Sequence, residues 1–154
     1  MRKYVLDTSV FLNQIHPDGV LFTIQEVVDE IHNSTSKNYF LNLVQIGLSV
    51  DSPTLDSISD VKKMAEYTGD IGKLSETDIK LIALAKTKSA TIVSSDFAIQ
   101  NVSLALELKW ISPDRKGIKS LLIWKWRCEA CFHIFEKPLK ECKICGSSLR
   151  AIRK

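Results

Sequence analysis

Short apolar runs alternate along the chain with longer stretches in which apolar residues recur every three or four positions. Residues 4–6 and 91–95 are compact and rich in apolar or β-branched side chains, as expected of strands buried on both faces. The clearest helical stretch begins at Ser75 and carries apolar side chains through residues 79–85. This alternation predicts an α/β fold, with a parallel sheet flanked by helices.

Other elements follow from weaker signals. Pro17 and Gly19 indicate a turn, after which Thr23 and Glu26 have the spacing of a capping box that would begin a helix. Gly69 is predicted to follow the end of a helix. The remaining predicted elements are a helix over 39–46, a strand over 48–50, a helix capped by Thr54 or Ser57, a helix over 97–108 and a strand near 110.

The 154-residue chain divides at a polar, turn-rich segment that contains Pro113 and Gly117. We place an α/β domain in residues 1–112, a linker in 113–120 and a small β domain in 121–154. The last segment holds three apolar or aromatic runs typical of strands, and no clear helical pattern.

Composition narrows the class of protein. Hydrophobic residues make up 45% of the chain, and no apolar stretch approaches the roughly 18 residues of a membrane span, so we expect a soluble protein. No signal-peptide pattern precedes the first strand, which favours the cytoplasm. In that reducing compartment, four cysteines favour metal binding over disulfides.

The charge is distributed unevenly. Residues 1–109 hold ten Lys and Arg against fourteen Asp and Glu, a formal charge of −4, whereas residues 110–154 hold eleven against four, or +7. A basic appendage on an acidic body suits a polyanionic substrate, because the appendage supplies the attraction that the body lacks. Ordinary solvation of a small domain's surface is the alternative interpretation.

The four cysteines form two pairs with metal-ligand spacing. Cys128 and Cys131, followed after ten residues by Cys142 and Cys145, are typical of a site with four thiolates around one Zn²⁺. Gly146 permits the second turn to tighten. Four protein ligands leave no open position for water, so the zinc is expected to be structural; an iron site of rubredoxin type is the alternative.

Aromatic and basic residues interleave around these cysteines. Such rings could stack unpaired bases while the cations hold phosphates, although in so small a domain most rings could instead form its core or its contact with the larger domain. The basic face as a whole favours nucleic-acid binding. The residues concerned are Trp124, Trp126, Phe132 and Phe135 with Lys125, Arg127, Lys137, Lys140 and Lys143. His133 is interpreted as a surface or RNA-facing residue.

Four acidic residues could converge although they are far apart in sequence. Asp7 and Asp96 follow the two clearest strands, and the ligand crevice of an open α/β sheet lies beyond the carboxyl ends of its strands. Glu30 and Asp78 fall on predicted helices nearby. Carboxylates about 6 Å apart would repel by about 3 kcal/mol at an effective dielectric constant near 20, so such a cluster favours divalent cations.

Each acid also has a local explanation. Asp7 could cap a turn, Asp78 could complete a capping box with Ser75, and Asp96 could cap the following helix. Glu26 and Asp29 compete with Glu30, but Glu26 is accounted for by the predicted capping box at Thr23 and Asp29 lies about 100° away around the helix. Asp70 and Glu76 are outer candidates.

These motifs together resemble a known family. Sequence around Asp7, Glu30, Asp78 and Asp96 is similar to the motifs of PIN-domain nucleases, over roughly residues 1–112. With the four-cysteine ribbon and Gln100-Asn101-Val102, the chain resembles, nearly end to end, the archaeal Nin-one-binding endonucleases. One departure is that Ser94-Ser95-Asp96 offers serine where that family often has a further Asp or Thr.

The resemblance implies a metal-dependent, single-strand endoribonuclease that processes the 3′ end of small-subunit rRNA during ribosome biogenesis. It implies that Asp7, Glu30, Asp78 and Asp96 are the catalytic residues that bind Mn²⁺ or Mg²⁺, with Thr8 or Ser9 and Thr77 as polar neighbours. Its implied partners are pre-rRNA and the small-subunit precursor, reached through the ribbon, with assembly factors. The alternatives are an inactive, RNA-binding assembly factor and a toxin-type PIN ribonuclease.

Overall fold

The computed structural model describes residues 1–114 and 116–153, so Arg115 of the predicted linker and the terminal Lys154 lie outside the described residues. Its elements, in chain order, are β1 (Lys3–Leu6), α1 (Thr8–Asn13), β2 (Val20–Thr23), α2 (Gln25–Asp29), α3 (Ser34–Gln45), β3 (Ser49–Val50), α4 (Leu55–Thr68), α5 (Glu76–Lys88), β4 (Thr91–Val93), α6 (Phe97–Ala105), β5 (Trp110–Ile111), β6 (Trp124–Cys128), β7 (Ile134–Phe135) and β8 (Leu149–Arg153).

The first five strands form one parallel sheet in the order β3-β2-β1-β4-β5. In its centre, Leu6 of β1 is opposite Val93 of β4, so the carboxyl ends of these two strands meet at the same edge. The predicted α/β fold is therefore confirmed, and the residues that follow β1 and β4 lie side by side.

Helix α5 packs into the centre of this α/β unit. Its residues 81–85 are fully buried, so it is apolar around most of its circumference, as expected of a core helix. The buried apolar cluster runs from Tyr4 to Val102, within the predicted α/β domain. The buried apolar core beneath the sheet edge therefore belongs to the α/β unit.

Strand β2 was not predicted, and the predicted capping box at Thr23 is wrong. Thr23 ends β2, where its hydroxyl donates to the Leu6 carbonyl oxygen at 2.9 Å, and helix α2 begins after Ile24 without a side-chain cap. The pairing of β2 with β1 and β3 involves partners distant in sequence, which local patterns do not report. Glu26 therefore has no capping role.

The other helix signals agree with the structure, with shifted ends. Thr54 caps α4, and Gly69 ends it in left-handed conformation at φ 83°. Ser75 and Asp78 form the predicted capping box of α5. Helix α3 begins earlier than predicted because Asn33 caps it, accepting from the Ser36 amide at 2.7 Å.

The C-terminal strands form a separate antiparallel sheet in the order β7-β6-β8, which we call the ribbon. Trp126 pairs with Phe135 on one side and Ala151 on the other. The three predicted β runs are thus confirmed. Across the two described ranges, none of the helices is long and apolar enough to cross a bilayer.

Candidate functional site

Asp7 lies at the centre of the sheet edge, directly after β1. Its main-chain amide donates to the Val93 carbonyl oxygen at 3.1 Å, so the backbone fixes its position against β4. One carboxylate oxygen accepts from the Thr8 amide at 2.7 Å and caps α1, and the other accepts from the Ser94 hydroxyl at 2.6 Å. Asp7 therefore caps α1 and also lies in the crevice at the sheet edge.

Glu30 reaches the same region from α2. It is the C-cap residue of that short helix, and its carboxylate accepts from the Thr8 hydroxyl at 2.9 Å. Thr8 adjoins Asp7 in the chain, so this hydrogen bond holds Glu30 against the residue next to Asp7. Asp29, the competing residue, instead accepts from Gln25 on its own helix at 2.9 Å.

Asp78 and Asp96 each cap a helix that begins at this edge. Asp78 Oδ2 accepts from the Ser75 amide at 2.8 Å, and Asp96 Oδ1 accepts from the amides of Ala98 and Ile99 at 2.8 and 3.1 Å. Each cap uses one oxygen of its carboxylate. The second oxygen of each accepts no hydrogen bond from the described residues, which leaves it for a ligand.

The electrostatics join the four acids into one group. Burial, with smaller contributions from the charges of Asp78 and Asp96, raises the pKa of Asp7 to about 6 despite the hydrogen bonds from Ser94 and Thr8. Burial also raises the pKa of Asp78, with smaller contributions from the charges of Asp96 and Glu30. Each acid is therefore close enough to another member of the set to repel it.

The four acids form no ion pair with a Lys or Arg among the described residues. Nearby Lys80 pairs with Glu26 at 2.5 Å and Lys62 with Glu76 at 3.6 Å, and none of the ion pairs between described residues includes the four acids. Uncompensated carboxylates that supply only oxygen ligands fit a hard divalent cation such as Mg²⁺ or Mn²⁺. Among the described residues, the group of three or more such ligand atoms gathered closely enough to hold a metal ion is the four cysteine sulfurs described next, within 4.8 Å of one another.

The four predicted zinc ligands come together in the ribbon. The Sγ atoms of Cys128, Cys131, Cys142 and Cys145 all lie within 4.8 Å of one another, and two pairs are 3.3 and 3.7 Å apart. A tetrahedral ion with Zn–S bonds of about 2.3 Å needs sulfurs about 3.8 Å apart. This donor set therefore fits Zn²⁺.

The two cysteine turns have the same backbone shape. Phe132 and Gly146 each follow the second cysteine of a pair and have φ of 63° and 76°. The Phe132 amide donates to the Cys128 carbonyl oxygen and the Gly146 amide to that of Cys142, at 3.2 and 2.9 Å. The sequence indicated the left-handed residue only in the second turn, because glycine marks it and phenylalanine does not.

Ser94 is a site residue that sequence reasoning did not assign a role. It is fully buried, its hydroxyl donates to Asp7, and the same oxygen accepts from the Asp96 amide at 3.1 Å. Ser94 thus links two of the acids directly. In the sequence, the one indication that Ser94 could belong to the site was its position immediately after the apolar β4 run.

Comparison with known proteins places this site in context. The family model for the PIN domain of ribonuclease matches residues 4–87. The endoribonuclease Nob1 of Pyrococcus abyssi is 35% identical over 153 residues, covering 97% of this chain and 93% of that protein. Ribonuclease VapC1 of Thermoplasma acidophilum is 34% identical over 149 residues, covering 96% of this chain and 76% of that protein.

A eukaryotic relative matches over a shorter region. The 20S-pre-rRNA D-site endonuclease NOB1 of Saccharomyces cerevisiae is 30% identical over 95 residues, which cover 57% of this chain and 21% of that protein. The archaeal similarities, in contrast, extend through both the α/β unit and the ribbon.

Proposed function

We propose that this chain, which belongs to the PIN-domain ribonuclease family and to its archaeal Nob1 group, is a divalent-metal-dependent endoribonuclease that cuts single-stranded RNA. Its proposed substrate is the small-subunit rRNA precursor, cut at the 3′ end of the mature rRNA. We place this reaction in the cytoplasm, within a precursor of the small ribosomal subunit.

The observation that carries the proposal is the coupled acid group around Asp7, whose pKa is raised to about 6. Asp7, Glu30, Asp78 and Asp96 would hold Mn²⁺ or Mg²⁺ through carboxylate oxygens. When bound, the metal would supply an activated water and stabilise the departing 3′ oxygen during in-line hydrolysis, leaving 5′-phosphate and 3′-hydroxyl ends.

Residues of the chain keep these ligands in place. Ser94 orients Asp7, Thr8 orients Glu30, and the helix caps orient Asp78 and Asp96. Each acid thus has a hydrogen-bond partner that limits its movement, as ligand carboxylates in metal sites do. No histidine is required as a general base in this arrangement.

The ribbon would supply attraction for RNA. Residues 110–154 carry a formal charge of +7, and four thiolates around one Zn²⁺ would reduce that by two. Exposed Arg127 and Phe132 add a cation and an aromatic ring on one face, 5.7 Å apart. A basic ribbon beside an acidic site would hold phosphates without filling the metal centre.

The proposed substrate is supported by the activities for which the relatives are named and by the ribbon. The yeast relative is named for pre-rRNA cleavage, and archaeal Nob1 proteins match across the ribbon. Two alternative functions are distinguished by the test below. They are an RNA-binding assembly factor without activity, and a toxin-type ribonuclease that cuts tRNA or mRNA.

The test is cleavage of an RNA that spans the 3′ junction of small-subunit rRNA, with the products mapped to the nucleotide. We expect one discrete cut in the presence of Mn²⁺, and a reduction of at least about 100-fold in Asp7→Asn. Asp56→Asn, which changes an exposed acid of α4, is the control and should cut like the wild type.

Three results would contradict the proposal in different ways. Metal-independent cutting, or an Asp7→Asn protein as active as the wild type, would refute the metal site. Binding of the junction RNA without a cut would favour the inactive assembly factor. Cutting of tRNA or mRNA in preference to the junction, with growth arrest on expression, would favour the toxin-type ribonuclease.

A further inference from the structure

The segment that joins the two parts of the molecule lies on the α/β unit. Residues 117–122, which we call the strap, pass over α6 and β5 before β6 begins. A Cβ atom at Gly117 would lie 2.5 and 2.6 Å from two atoms of the Trp110 ring and 3.2 Å from Gln100 Oε1. The strap is therefore packed so tightly at this point that only glycine fits.

Gln100 connects the strap with the sheet edge. Its side chain is fully buried; its Nε2 donates to the Ser94 carbonyl oxygen at 2.9 Å and its Oε1 accepts from the Ile118 amide at 3.1 Å. The Gln100 side-chain amide thus bonds the sheet edge through its nitrogen and the strap through its oxygen. Because Ser94 also donates to Asp7, an unbroken series of contacts runs from the strap to the acid group.

Asn101 holds the strap at a second point. Its Oδ1 accepts from the Leu122 amide and its Nδ2 donates to the Leu122 carbonyl oxygen, both at 2.7 Å. Nδ2 also donates to buried Asp70, again at 2.7 Å, and Asp70 accepts from Thr68. A buried amide group that loses such partners destabilises the folded protein, so the two hydrogen bonds between Asn101 and Leu122 favour a docked strap.

We infer that Gln100 is a positioning residue, which makes the docked strap part of the support for Ser94 and hence for Asp7. The inference rests on the proposed function, because it assumes that Asp7 serves catalysis. A displaced strap leaves the Gln100 Oε1 without its donor, and the side chain that supports Ser94 loses its second anchor. The active centre and the ribbon are then coupled through one buried amide.

This coupling predicts a specific kinetic signature. Gln100 is buried, so it does not contact RNA, and its loss acts on the acid group through Ser94 and on the strap through Ile118. A small displacement of a catalytic group lowers kcat strongly while substrate binding is retained. General destabilisation, in contrast, reduces the fraction of active protein and leaves the residual molecules with normal local exchange at Ile118.

Two variants test the inference from opposite sides of the contact. Gln100→Met has a similar length but no donor and only a weak acceptor, and Gly117→Ala displaces the strap by collision with the ring of Trp110, which packs against the edge of the core. The matched controls are Gln45→Met, at an exposed position of α3, and Gly72→Ala, where a Cβ meets no atom within 4 Å.

The measurements are amide hydrogen exchange at Ile118 and Leu122 by NMR, and kcat and KM on a short single-stranded RNA with Mn²⁺. In both variants we expect exchange at Ile118 at least about tenfold faster, with kcat lowered about tenfold and KM within about twofold of the wild type. Both controls should match the wild type in every quantity.

If Gln100→Met does not fold, Gly117→Ala decides the question, since it lies outside the core. Unchanged exchange at Ile118 would show that the strap is not held by Gln100 and would overturn the inference. Faster exchange with unchanged kcat would overturn the coupling and leave the proposed function intact. A wild-type protein that does not cut RNA would instead overturn the proposed function, and the coupling with it.

Discussion

Individual carboxylates in this protein serve two purposes at once. Asp7, Asp78 and Asp96 each cap a helix with one oxygen, and the capping geometry directs the other side of the carboxylate towards the sheet edge. The local explanation of each acid and its place in a metal site are therefore compatible. In these three acids a backbone amide fixes the direction of the carboxylate, which the Ser94 hydroxyl supports at Asp7.

The pKa of Asp7 predicts how stability depends on pH. Folding raises this pKa from 3.8 to about 6, so the folded protein binds the proton more tightly, and the free energy of unfolding falls as pH rises through this interval. Without divalent metal, we expect Asp7→Asn to stabilise the protein by up to about 3 kcal/mol near pH 7.5 and by about half as much near pH 5.

Calorimetry of zinc-loaded protein free of Mn²⁺ and Mg²⁺ measures this difference. Added Mn²⁺ should then raise the Tm of the wild type near neutral pH and leave that of Asp7→Asn unchanged. A gain from Asp7→Asn that grows as pH falls would contradict the assignment, because it would mean that folding lowers the pKa.

Phe132 is held in a conformation that phenylalanine rarely adopts. Its φ is 63°, and its ring is 64% exposed beside Arg127. We expect Phe132→Gly to relieve strain and stabilise the zinc-loaded ribbon by about 1 kcal/mol, yet to weaken RNA binding because the stacking surface is lost.

Phe132→Ala separates the two effects, since alanine removes the ring but keeps the strained Cβ. Both variants should lose RNA affinity, whereas only the glycine variant should gain stability, as measured by thermal unfolding and RNA titration. An unchanged affinity in both would show that the ring does not contact RNA.

At the scale of elements, the start of α5 combines helix capping with the acid site. Ser75 and Asp78 satisfy each other's main-chain amides, at 2.8 and 3.1 Å, and this fixes the first turn of a helix that is buried along most of its length. The position of the proposed ligand carboxylate is thereby tied to the stability of the core helix.

Substitutions at this cap distinguish its two roles. Asp78→Asn keeps an oxygen that accepts from the Ser75 amide but loses the charge, so we expect near-normal stability and cleavage reduced at least about 100-fold. Ser75→Ala removes the cap and should lower the free energy of unfolding by about 1 kcal/mol. Urea denaturation and RNA cleavage measure the two quantities; loss of stability without loss of cleavage in Asp78→Asn would leave Asp78 a cap alone.

At the scale of the whole molecule, the two parts are stabilised in different ways. The α/β unit contains the buried apolar cluster, whereas the buried side chains of the described ribbon include two of the cysteines, Cys128 and Cys142. A sheet this small buries little apolar surface, so we expect a metal at the four cysteines to supply much of its folding free energy.

Loss of the zinc site should therefore unfold the ribbon and spare the α/β unit. We expect Cys142→Ser to lose the NMR signals of β6–β8, to retain a cooperative melt, and to bind RNA more weakly and with a shallower salt dependence. Ile144→Ser changes an exposed residue of the same turn that is not a ligand, and is the control. A ribbon that stays folded in Cys142→Ser would refute the metal's structural role.

Much of the fold was readable from local signals in the sequence. The caps at Thr54 and Ser75, the glycine that ends α4 and the spacing of the cysteines each depend on a few neighbouring residues. Strand β2 escaped prediction because its partners are remote, and Glu26 was assigned to a cap because its actual partner, Lys80, is 54 residues away.

The sequence by itself determined the alternating α/β order, the four-cysteine site and the identity of the candidate acids. These features depend on strand ends, helix starts and ligand spacing, each of which a short motif specifies. The tertiary structure alone decided that Ser94 joins Asp7 to Asp96, that Thr8 holds Glu30, and that Gln100 ties the strap to this group. The physical reason is that hydrogen bonds between distant residues depend on how the sheet is ordered, and short-range patterns carry no information about that order.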